Sequence, residues 1–176
     1  MRYANDGQCW SDSGRSAPLK GGLVGEQSTL RFAVGIFDTW ADVQATVREL
    51  TAGGMAENSF NCLGLHRVLA PVASRLDNCM SLSDLPFSGN ADLTSATDGP
   101  LAACLADRLR MGAETLTAAL AHWLVARHAT HLEEAVAAGK ITLWVQLFDN
   151  DDERRAYRSL LARSSNSVGV HDIVRA

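Results

Sequence analysis

The sequence predicts an α+β fold: a ferredoxin-like four-stranded antiparallel sheet built from two βαβ units, with a helical segment inserted between them at about residues 70–139. Three observations predict it. The apolar run RFAVGIFD (31–38) has a near-echo in KITLWVQLFD (140–149), and both end in Phe-Asp and lead into a charged, helix-patterned segment. Each of those segments is followed by a turn and a further apolar run, SFNCLGL (59–65) and VGVHDIV (168–174). The stretch between the units is dominated by alanine-rich helical spacing rather than by alternation.

Length and composition set the frame for these elements. A chain of 176 residues, 47% hydrophobic and 20% charged, suffices for one domain with a real core. A net charge of −4 speaks against a general polyanion binder, so no nucleic-acid partner is expected. No apolar run reaches the roughly 18 residues that span a bilayer, and MRYANDGQCW has no signal-peptide core. The expectation is a cytoplasmic protein with no membrane partner. Of the four cysteines, Cys62 and Cys104 lie in apolar runs and read as buried hydrophobes, whereas Cys9 and Cys79 read as exposed thiols.

Residues 1–30 are Gly-, Ser- and charge-rich and read as a flexible arm ahead of a single domain over 31–176. In the first strand, 31–37, Phe32, Val34 and Ile36 share one face and Ala33, Gly35 and Phe37 the other. Thr39 is a fitting N-cap for a helix over 40–52, whose buried stripe is Trp40, Val43, Val47 and Leu50, and Gly53-Gly54 ends it. The second strand is 59–65. In the second unit, Ile141, Leu143, Val145 and Leu147 share a strand face opposite Trp144, Gln146 and Phe148. The acidic run 149–153 caps the following helix. That helix is expected to bury Tyr157, Leu160 and Leu161 and to turn Arg154, Arg155, Arg158 and Arg163 to water. Strands one and three form the central pair, with Val34 and Val145 toward the unit helices and Phe37 and Trp144 away from them. Within the insertion, 71–76 reads as a short helix starting at Pro71, 81–99 as loop, and 100–110 and 114–138 as helices.

The order FAVGIFDTWADVQATVRELTAGG…LG, GPLAACL and LEEAVAAGKITLWVQLFDNDDERRAY resembles the YflT-type general stress protein domain over most of residues 31–174. The resemblance implies a stress-related domain without an established reaction, and it supplies no catalytic residue. The polar stretch 81–98 and the pair His128 and His131 depart from it.

Two constellations bear on chemistry. Phe37, Trp144 and Phe148 are expected to form one aromatic sheet face, covered by the inserted helices or by a twin subunit; an exposed face of this kind is an interaction site. This makes a homo-oligomer the expected assembly. His128, His131 and Glu134 recur at spacings of three on one helix and are the candidate metal or small-ligand group, although one helix face seldom supplies the three or four ligands a site needs. The bland reading is a solvated His-rich face. There is no GxSxG, P-loop or dinucleotide fingerprint, so no catalytic residue and no cofactor is assigned. The leading expectation is a non-catalytic, self-associating module linked to stress. The competing one is a metal- or small-ligand-binding protein, an enzyme among the options.

Overall fold

β1 (Thr29–Phe37) is buried on both faces from Ala33 onward, and the rest of the chain is layered around it. In a computed structural model that describes residues 28–73, 81–88, 91–166 and 168–175, β1 is followed by α1 (Trp40–Ala52), β2 (Phe60–Leu65), α2 (His66–Ala73), β3 (Leu82–Leu85) and β4 (Thr94–Thr97). Then come α3 (Pro100–Arg110), α4 (Leu116–Leu120), α5 (Ala126–Ala137), β5 (Ile141–Leu147), α6 (Asn150–Arg163) and β6 (Gly169–Val174). Residues 1–27 of the expected arm, and Cys9 and Cys79, lie outside the described residues, whereas Thr29 and Leu30, expected to close the arm, open β1 instead. No described helix is long and apolar enough to cross a membrane.

The fold is α+β, and among the described residues its sheet has six antiparallel strands in the order β3-β4-β2-β5-β1-β6. The expected sheet of four is therefore too small, because the segment expected to be a loop supplies two more strands. Their polar sequences, LSDL and TSAT, hid them. β4 pairs with the β2 edge and β3 with β4, which gives these segments backbone partners, and Thr97 Oγ1 accepts from Cys62 N (2.8 Å) where the β2–β4 ladder ends. β1 and β5 are direct neighbours, with Val34 opposite Trp144 and Gly35 opposite Leu143.

Helices cover both faces. α1 and α6 lie against Ala33, Phe37, Leu143, Val145 and Leu147, and α3, α4 and α5 lie against Phe32, Val34, Ile36, Leu63 and Trp144. Val145 and Trp144 thus face as expected, whereas β1 is turned over: Val34 faces the inserted helices and Phe37 faces α1 and α6. With both faces buried, β1 has no polar side to orient it, and only its register with β5 does so.

Local signals place most helix ends. Thr39 Oγ1 accepts from Asp42 N and Asp149 Oδ1 from Asp152 N, so both expected caps form. α2 begins five residues before Pro71 and holds it near its end. The long helix expected over 114–138 is two helices, α4 and α5, with a turn at Trp123. The Trp123 indole donates to Val174 O on β6 (3.0 Å), and Leu116, Leu120 and Leu132 then reach one core. A straight helix of that length would span roughly 37 Å and overrun the sheet. On α6 only Leu160 of the expected stripe is buried, beside Ala156 and Ser159, while Tyr157 and Leu161 are exposed. The helix lies so close over Gly35 that a Cβ there would meet Leu160 Cδ2 at 3.1 Å, which narrows its buried face.

Candidate functional site

The three aromatics expected on one face are not brought together. Trp144 is fully buried beneath the inserted helices, edge-on to Phe32 with ring centres 6.1 Å apart, and its indole donates to Thr142 Oγ1 (2.9 Å). Phe37 is equally buried, on the opposite face. Phe148 lies just past the end of β5 and is 68% exposed, so strand alternation no longer governs it.

The imidazoles do converge. His128 and His131 stand one turn apart on the exposed side of α5, and β6 brings a third, His171, beneath them. These three line a cavity of about 80 Å³ whose remaining wall includes Val34, Ile36, Leu132 and Val168. The His128 and His171 rings meet at 5.8 Å with their planes 70° apart. Burial, and secondarily the charge of His128, push the His171 imidazole below its ordinary pKa. Gly169 makes room for that ring: a Cβ would lie 2.6 Å from His171 Nε2.

Glu134, the carboxylate expected beside His131, is exposed and not among the cavity's lining residues. Its neighbour Glu133 accepts from Thr117 N (2.7 Å) and caps α4. Sequence reading missed His171 because it lies forty residues from His131; the alternation of β6 alone could have placed it on one face with Gly169 and Ile173.

A second constellation went unnoticed in the sequence. His66 Nδ1 lies 2.9 Å from Asp84 Oδ1 and 3.0 Å from Ser95 Oγ, and Ser95 Oγ donates to Asp84 (2.7 Å). The Ser95 hydrogen bond, with His66 adding to it, holds the Asp84 carboxyl below its usual range. This is not a nucleophile triad. A triad needs the hydroxyl on one imidazole nitrogen and the carboxylate on the other, whereas here a single nitrogen meets both and the fully buried serine gives its proton to the acid. The cluster ties the start of α2 to β3 and β4.

Several other charged groups have structural partners. Arg155 donates to Gly53 O and Arg163 to Glu49, joining α6 to α1, so neither simply faces water as expected. Asp38 pairs with Lys140 (2.8 Å). Burial pushes the Cys62 thiol up to about 12, which leaves it inert as a nucleophile. Among the described residues, no group of three His, Cys, Asp or Glu side chains is already arranged to hold a metal ion.

Comparison with known proteins returns no relative: no protein-family model, no curated protein and no solved structure matches the chain.

Proposed function

We propose that the protein is a non-catalytic interaction module that pairs with a second copy of itself through the outward face of α6. The observation that carries this reading is the pairing of exposed apolar and basic groups on that face. Tyr157 and Leu161 are 44% and 49% exposed, and with Arg154, Arg158, Asn150 and Glu153 they line one shallow groove. Exposed aromatic and arginine side chains around an apolar centre are the chemistry of binding hot spots.

Charge favours a second copy as occupant. On its outward side α6 carries Asp151 and Glu153 in its first turn and Arg158 further on. Two such helices crossing antiparallel about a two-fold axis set the acidic start of each beside the basic half of the other, as an isologous contact requires. The run β6-β1-β5-β2 has the strand order of a ferredoxin-like pair of βαβ units, and we read the sheet as such a pair extended by two inserted strands. The resemblance to general stress protein domains supports a stress-linked role for the module.

Sedimentation velocity at tens of micromolar tests the reading. The expected result is a dimer for the natural chain and a folded monomer for the Tyr157→Glu, Leu161→Glu double variant. A monomeric natural chain, or a double variant that stays dimeric, overturns it.

A further inference from the structure

We propose that the cavity between α5 and β6 is a binding site for a borderline divalent metal ion, with zinc as the reference case and His128, His131 and His171 as its ligands. The site is separate from the α6 face and does not depend on self-association.

Three features carry the assignment. The first is ligand number. A single helix face offered only His128 and His131, but the fold adds His171 from a different element, which reaches the three protein ligands of an open zinc site. The second is spacing. Two imidazoles that bind one ion at about 2.0–2.1 Å have ring centres roughly 5–6 Å apart, and those of His128 and His171 are 5.8 Å apart. His131, one turn along α5, opens on the same cavity. The third is the surroundings. Val34, Ile36, Leu132 and Val168 wall the cavity with hydrocarbon, and Gly169 leaves the space that the His171 ring occupies.

Among the described residues the three rings do not stand as a coordination set, so His128 and His171 keep their present spacing and binding turns the exposed His131 imidazole inward by a change of rotamer. Three protein nitrogens leave a fourth position for water. Because ligation requires neutral imidazole, binding competes with protons and weakens on acidification.

The test is calorimetric titration of tag-free protein with zinc chloride at neutral pH, with circular dichroism as the check on folding. The expected result is one saturable equivalent, weakened at least about tenfold in His128→Ala and in His171→Gln. Glu134→Ala should bind as the natural chain does. His128 is exposed on α5, so its variant remains informative even where a change at His171 disturbs packing. Absence of a saturable equivalent overturns the proposal. So does binding that survives both histidine changes, or binding that is lost in Glu134→Ala.

Discussion

Asn61 and Gly99 are in contact across the junction of sheet and insertion: a Cβ at position 99 would lie 2.5 Å from Asn61 Oδ1. Asn61 is buried on β2, and this oxygen has no hydrogen-bond partner among the described residues. Gly99 precedes Pro100 at the start of α3, so the missing side chain is what lets that helix reach the sheet. Its φ of 160° is extended backbone, and space rather than conformation requires the glycine. Gly99→Ala is expected to cost about 1–3 kcal/mol in urea unfolding. Adding Asn61→Ala should recover part of that loss, and strict additivity would show that the two positions are uncoupled.

The burial of Trp144 makes a second prediction. Trp144→Ala removes the ring that packs on Phe32 and should destabilise the chain by about 3–5 kcal/mol. Trp144→Asp and Val145→Asp each bury an unpaired carboxylate, one on each face of β5, and both should unfold the domain. A folded monomer for Trp144→Asp, seen by circular dichroism and gel filtration, would mean that the inserted helices do not cover this face.

Glu49 couples α1 to α6 and sets an acid dependence. Hydrogen bonds from Ser159 Oγ (2.7 Å) and Arg163 (2.5 Å) hold its carboxyl below the ordinary value of 4.5. A carboxyl depressed in the folded state stabilises fully above its unfolded pKa, and the gain is lost as pH falls through the folded one. Urea midpoints should therefore decline below about pH 4.5, and Glu49→Gln should flatten part of that slope. An unchanged slope would remove Glu49 from the account.

His171 sets a dependence nearer neutrality. Burial, then the charge of His128, hold its pKa below 6.5, with Asp172 acting in the opposite sense. Its unfolded form takes up a proton first, so its share of stability is complete above about pH 6.5 and is lost as pH falls through the lower folded value. Metal-free protein should lose thermal midpoint between about pH 7 and pH 5, and His171→Asn should lose less. Equal losses in the two chains would assign the dependence elsewhere.

The chain alone determined that there are two strand–helix–strand units, where their helices begin, and that α3 starts at Pro100, because these follow from alternation, caps and glycine stops within a few residues. It also paired His128 with His131, since helical spacing is local. Only tertiary structure decided which way β1 faces, because a strand buried on both sides carries no polar side to read. Tertiary structure alone recruited LSDL and TSAT as strands, because their backbone partners lie on β2 and in each other, not in their own composition. It broke the long helix at Trp123, through a bond to a carbonyl fifty-one residues away. And it brought His171 under α5 while leaving Tyr157 and Leu161 outside, because both outcomes depend on how closely one element approaches another.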